Sequence, residues 1–301
     1  HCFWVVSIGR MNERILTTGA LLGMAVLFFL LLPRFQSPAM EPGPHADTVI
    51  GFSEDIELGE LSPLLDNTSP VLRVQGLPKT EEPVYFRGVA LDSFDGQRWT
   101  RSGIHIPVGE DTSSVAGTRV DVFAEREHNG VVFTVGTVNR VQSSYGPPQR
   151  DDHDNWILSG ASGPTQYTMY VTLNQPIGAT NNPRRYQALP DVVNDSIVRL
   201  AAELGAGESD PTVRAQRLNT WFSNTFTYTR IPETDGTTMT LDDFLLHNRR
   251  GHCEYFASAT ALLLRLQGTP ARVVTGFLGG EYNETGRYWV VRQDHAHAWV
   301  E

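Results

Sequence analysis

The sequence predicts an α+β protein in three parts: one apolar span, a β-rich stretch, and a core in which helices precede an antiparallel sheet. Three observations carry that expectation. Residues 15–32 hold no charged side chain. Residues 71–173 alternate short apolar runs with Pro, Gly and Asp and show no long helical pattern. From residue 191 onward helical periodicity returns, and it ends in further β-rich runs.

The apolar span at 15–32 is long enough to cross a bilayer as a slightly short helix. Arg10 and Arg14 precede it, whereas the far side has Arg34 followed by Glu41, Asp47, Glu54, Asp55 and Glu57. The excess of positive charge before the span places residues 1–14 in the cytoplasm and everything after Pro33 outside, with 33–45 as a linker. A cleaved signal peptide fits less well, because Pro33-Arg34-Phe35 is a poor cleavage site. This orientation separates Cys2 from Cys253, so the exported part has one thiol and no disulfide partner for it. The net charge of −10 argues against nucleic acid as a partner and against a basic patch for acidic lipid.

Residues 46–180 read as a β-rich, sandwich-like extracytoplasmic domain. Its short runs lie at 71–74, 84–91, 120–123, 131–135, 138–141 and 167–173, and Asp95-Gly96 supplies the turn of a hairpin. At this length the chain accommodates two domains, each with its own core.

The core occupies 183–301. Asp191 opens a segment with Ile197, Leu200, Ala201 and Leu204 on one face, and Gly205 ends it. Asp210-Pro211 gives a cap and a first-turn proline for a second helix that buries Val213, Leu218, Trp221 and Phe222. Thr240 with Asp243 forms a capping box for a short third helix. The Ala- and Leu-rich run 254–267 is a fourth, stopped by Gly268 and Pro270. Strands follow at 271–276 and 288–292, and Trp299 and Val300 continue the pattern.

Cys253 therefore sits at a helix N-terminus. Free amide groups and the helix macrodipole there favour an anion, which pushes a thiol toward the nucleophilic thiolate. An imidazolium on the following strand would push it further. His295 and His297 are both candidates, since residues two apart on a strand share a face. A cysteine on a helix facing a histidine on a sheet is the arrangement of cysteine acyl transfer. An inert buried cysteine is the plainer alternative, but Cys253 precedes the apolar run, next to Gly251 and polar neighbours. A zinc site built from His252, Cys253, His295 and His297 would lack both a CxxC pair and an HExxH helix.

The segments LDDFLL (241–246), RRGHCEYFASATALLLRLQGTPARVVTGFLGG (249–280) and YWVVRQDHAHAWVE (288–301) resemble the core of bacterial transglutaminase-like proteins of the membrane-anchored TgpA type. Tyr85-Phe86-Arg87-Gly88 and the run from Ser93 to Trp99 resemble, more loosely, the region that precedes that core. The resemblance implies a papain-like transglutaminase fold with Cys253 as nucleophile and His297, in HAWVE, as base, leaving His295 outside the motif. It also implies an aspartate on a further strand as third member. The sequence stops at Glu301 before such a strand, so the core is expected to be cut short there, and Asp294 is not assigned that role.

The expectation is a membrane-anchored cysteine acyltransferase or amidase acting outside the inner membrane on glutamine carboxamides or peptide bonds of envelope proteins, through a thioester and without cofactor or metal. A protease or deamidase that uses water as acceptor, and a non-catalytic envelope-binding scaffold, are the alternatives. Lys79 is the only lysine, so a transamidating enzyme of this sequence has almost no amine of its own to attack.

Overall fold

The computed structural model describes residues 55–60, 65–108, 116–125, 128–161, 163–173, 183–230 and 239–301. The expected span at 15–32 lies outside them. Among the described residues no helix is long and apolar enough to cross a membrane.

Among the described residues the strands form five sheets, and two antiparallel ones carry the core. The larger has six, in the order Glu281–Asn283, Tyr288–Arg292, Pro70–Gln75, Thr118–Ala124, Thr165–Thr172, Thr137–Ser143. The smaller has Val273–Leu278 in the middle, flanked by Ala296–Val300 and Tyr85–Leu91. Alternation sets which face is buried: in Thr165–Thr172 the side chains of Thr165, Tyr167, Met169 and Val171 point inward and the others outward. The Asp95-Gly96 turn joins Ser93–Phe94 to Arg98–Thr100 as expected, with the Asp95 carboxylate accepting from the Gln97 and Arg98 amides at 2.8 and 2.7 Å.

The expected division into two separately cored domains differs from the packing. Tyr288–Arg292 pairs with Pro70–Gln75, and Val273–Leu278 pairs with Tyr85–Leu91, so each sheet takes strands from both stretches. The described residues form one unit, and one core runs from Leu72, Phe86, Phe133 and Met169 to Leu218, Phe222, Leu263 and Phe277. Local apolar pattern marks a strand but not its partner: the runs expected at 271–276 and 288–292 form Val273–Leu278 and Tyr288–Arg292, which lie in different sheets. The run 131–135 is also corrected. It makes only isolated bridges, Val131 to Ile157 and Thr134 to Arg87, between Gly130 and Gly136, both at positive φ.

The helices follow their caps. Asp195–Gly205 starts at Asn194, whose side chain accepts from the Ser196 amide, three residues later than Asp191 suggested. Pro211–Thr225 starts at Asp210, which accepts from Thr212 and Val213, and it buries Leu218 and Phe222 while Val213 and Trp221 stay partly exposed. Thr240 caps Leu241–Asp243, which continues into a π-helical turn at Phe244–Asn248. Cys253–Leu266 is buried along most of its length and packs against Ala296–Val300.

Candidate active site

Cys253 is the first residue of its helix, with His252 in the N-cap position making no side-chain cap hydrogen bond. The chain reaches it through Arg250–Gly251, which pairs in parallel with Thr227–Tyr228. Gly251 lies in a tight spot: a Cβ there would stand 3.0 Å from the Phe244 ring and 3.2 Å from Tyr255 Cβ, so the neighbours would have to give by a few tenths of an ångström.

The helix is held by the β-rich stretch through three buried polar residues on one face, at i, i+4 and i+11. Glu254 accepts from the Gly59 amide at 2.8 Å, and Ser258 accepts from Trp99 Nε1 at 2.9 Å. Arg265 donates to the Asp92 carbonyl at 2.7 Å and stands 4.9 Å from the centre of the Trp99 ring. Such a face on an Ala- and Leu-rich helix fixes rotation and register, which an all-apolar surface would leave free.

His297 lies on Ala296–Val300, opposite Gly276. The alternation of this strand buries Ala296 and Ala298 and leaves His297 and Trp299 half-buried, with their rings nearly parallel at 18° and 6.5 Å apart. Tyr85, from the β-rich stretch, meets Trp299 edge-on at 5.1 Å. Burial lowers the pKa of His297, so its imidazole is neutral at physiological pH and able to accept a proton.

The cysteine and the histidine strand meet at the Ala298 backbone N–H, which is hydrogen-bonded to the Cys253 sulfur, one residue from His297. The Glu254 N–H and the Tyr228 hydroxyl also point to that sulfur. All three favour the thiolate. Even so, burial pushes the thiol up to about 12, and the Glu254 carboxylate adds to the effect. The expected displacement toward thiolate is thus corrected for this state: a sulfur shut off from water beside a carboxylate keeps its proton despite the helix N-terminus.

His295 is placed apart. It ends the 3₁₀ turn Gln293–His295 before the strand begins, and its Nδ1 accepts from the Arg292 amide at 3.1 Å. The shared face inferred from a spacing of two therefore does not apply. His252 is fully buried with Nδ1 3.6 Å from Glu254 Oε2, and burial pushes its pKa down to about 4. Among the described residues no group of three or more His, Cys, Asp and Glu side chains is placed to hold a metal ion.

Glu301 closes the strand. Its carboxylate lies 2.7 Å from Arg272 and 3.1 Å from Arg87, and its backbone pairs with Arg272 in both directions. Burial raises its pKa, but the two guanidinium charges outweigh that and hold it below the usual value. Tyr228, Glu254 and Glu301 were not singled out from the sequence as parts of the site. Glu254 and Glu301 lie within the recognised motifs, whereas Tyr228 precedes Cys253 by 25 residues and reaches it only through parallel strand pairing.

A family model described as the TgpA N-terminal domain matches residues 13–178, more than half of the chain. The chain belongs to the TgpA family. The transglutaminase-like superfamily model matches residues 198–301, which contain Cys253 and His297. Among curated relatives, a protein-glutamine gamma-glutamyltransferase of Pseudomonas aeruginosa is 30% identical over 93% of this chain and 43% of its own length. Protein YebA of Bacillus subtilis, described as uncharacterized, is 26% identical over 91% and 43%. The chain thus spans less than half the length of these relatives. Its fold is similar to the crystal structure of the periplasmic domain of TgpA from Pseudomonas aeruginosa, with a TM-score of 0.72 and 28% identity over 84% of this chain and 90% of that one. The same domain bound to ethylmercury gives a TM-score of 0.69. The transglutaminase-like core behind a β-rich region is therefore the family architecture, and the family models divide near residue 180 although the packing does not.

Proposed function

We propose that this chain is the extracytoplasmic catalytic part of a membrane-anchored acyltransferase that acts on glutamine carboxamides of envelope proteins or peptides. The observation that carries this is the convergence on the Cys253 sulfur of the Ala298 N–H, next to His297, and of the Glu254 N–H at the helix start. The name of the Pseudomonas aeruginosa relative supports glutamine as the acyl donor, and the periplasmic setting of the TgpA domain supports a site outside the inner membrane.

The resting pair is a neutral thiol and a neutral imidazole. His297 takes the thiol proton as the sulfur attacks the carboxamide carbon, and a C–S bond forms while the carbonyl oxygen takes the electron pair. When the C–N bond breaks, the imidazolium returns the proton to nitrogen and ammonia leaves, giving a thioester. An amine then attacks the thioester, its proton passes to the thiolate through the imidazole, and an isopeptide bond results. Water in place of the amine gives glutamate.

The experiment incubates the full-length protein with a blocked glutaminyl dipeptide and a primary amine and follows ammonia release and product mass. The expected product is the γ-glutamyl amide. Glutamate alone reassigns the acceptor to water. Absence of any thiol-dependent product from several glutaminyl donors refutes acyl transfer.

A further inference from the structure

We infer that the Tyr228 hydroxyl is a catalytic hydrogen-bond donor that, together with the Cys253 backbone N–H, holds the oxygen of the tetrahedral intermediate. This rests on the acyl-transfer function proposed above, and it names a residue that function does not require.

Three features of the fold carry it. First, the strand Thr227–Tyr228 is tied to the approach to the nucleophile: the Thr227 amide donates to the Arg249 carbonyl at 2.9 Å and the Thr229 amide to the Gly251 carbonyl at 2.8 Å. Tyr228 therefore moves with Cys253. Second, the ring leans on Phe256, one turn along the nucleophile helix, with centroids 6.1 Å apart and planes at 30°. Third, the hydroxyl makes two contacts with one residue. It is hydrogen-bonded to the Cys253 sulfur, and its oxygen accepts from the Cys253 backbone N–H.

The second contact locates the donor. An oxygen on a carbon newly bonded to the Cys253 sulfur comes within reach of the Cys253 N–H when it turns toward the helix start, and the Tyr228 oxygen is already at that amide. A small shift of the phenol lets both donors face the new oxygen. Tyr228 is 53% exposed as a residue, whereas Cys253 is buried. Burial pushes the phenol up to about 12, so the hydroxyl carries its proton throughout the working pH range.

The opposite role is that of a plug, in which Tyr228 only occupies the place the carbonyl oxygen needs. The two roles differ in sign. Tyr228→Phe keeps the ring on Phe256 and removes the hydroxyl. Measured on the full-length protein with a glutaminyl donor, it is expected to lower kcat about 10²-fold, the effect of deleting one such donor, with KM changed by no more than roughly twofold. A fluorinated tyrosine incorporated at 228 retains a donor and is expected to keep kcat within about fivefold of wild type, which separates loss of the hydroxyl from loss of fold. Unchanged or raised kcat in Tyr228→Phe overturns the inference and leaves acyl transfer intact. If wild type and Cys253→Ala are equally inactive toward every donor, acyl transfer fails, and the role of Tyr228 fails with it.

Discussion

Arg87 and Glu301 are 214 residues apart in sequence and meet with Nε 3.1 Å from Oε1, which ties the β-rich stretch to the end of the strand that carries His297. Both side chains are largely buried. Arg87 also donates to the His153 and Asp154 carbonyls at 2.8 and 2.9 Å, so its guanidinium is nearly saturated. Arg87→Ala removes one of two guanidiniums from the Glu301 carboxylate and the donor to the Asp154 carbonyl, while Arg272 still donates to Glu301 and to the His153 carbonyl. The expected loss is about 2–3 kcal/mol in chemical denaturation. A loss under about 1 kcal/mol would show that water enters and compensates.

How much of this was legible in the sequence depends on range. Caps and turns are local, so Asp210-Pro211, Thr240 with Asp243, Asp95-Gly96 and the stop at Gly268 were readable within a residue or two. Cys253 at a helix start and His297 in HAWVE were readable for the same reason, the second only through the family motif. Nothing local reports that Tyr85–Leu91 joins Val273–Leu278, because strand partners are chosen by the whole fold. The state of the thiol was misjudged on the same ground. The helix terminus is visible in sequence, but the burial and the Glu254 carboxylate that outweigh it are products of packing.

The thiol is pushed up to about 12, so in the absence of substrate its reactivity should follow hydroxide. Alkylation by iodoacetamide is expected to be slow at pH 7 and to rise about tenfold per pH unit up to pH ~10, since only the thiolate reacts. A rate that is already on a plateau between pH 6 and 8 would identify a preformed thiolate–imidazolium pair and overturn the neutral resting state.

His252 makes a separate acid-labile contribution. Its folded pKa of about 4 lies below the ordinary 6.5, so the unfolded chain binds its proton first as pH falls. The stability tied to the neutral ring is present above about 6.5 and is lost progressively toward 4, on the order of 3 kcal/mol in all. Glu301 acts in a lower window, because its depressed pKa keeps it ionised through the ordinary value of 4.5. His252→Leu should therefore flatten the pH dependence of stability between 6.5 and 4.5. An identical slope in wild type and variant would assign that window to other groups.

Gly276 is where the sheet and the site share a position. It pairs with His297 on one side and Arg87 on the other, and a Cβ there would stand 2.2 Å from the Phe86 carbonyl oxygen and 2.9 Å from Trp299 Cη2. Gly276→Ala must part the strands or displace the indole that lies beside His297. The expected cost is about 1–3 kcal/mol of stability, accompanied by a fall in turnover. A variant with wild-type melting and wild-type kcat would mean that the close backbone approach is dispensable.

The roles of the three histidine and cysteine positions separate in a single series of variants. Cys253→Ala is expected to abolish acyl-enzyme formation, since no other described side chain can supply the sulfur. His297→Ala is expected to slow it by about 10²–10⁴-fold, the range of a general base, because the thiol of the resting site is protonated and attack requires somewhere for that proton to go. An added imidazole or a raised pH should recover part of this loss, which a merely structural defect would not allow. His295→Ala is expected to change the rate by less than about tenfold, because its ring serves the turn at Arg292. The series should be run in full-length protein, so that any group beyond Glu301 that orients the imidazole is present. If His295→Ala abolishes the reaction while His297→Ala leaves it near wild type, the base must be reassigned to the turn, and the meeting of Cys253 with the strand at Ala298 would then be structural.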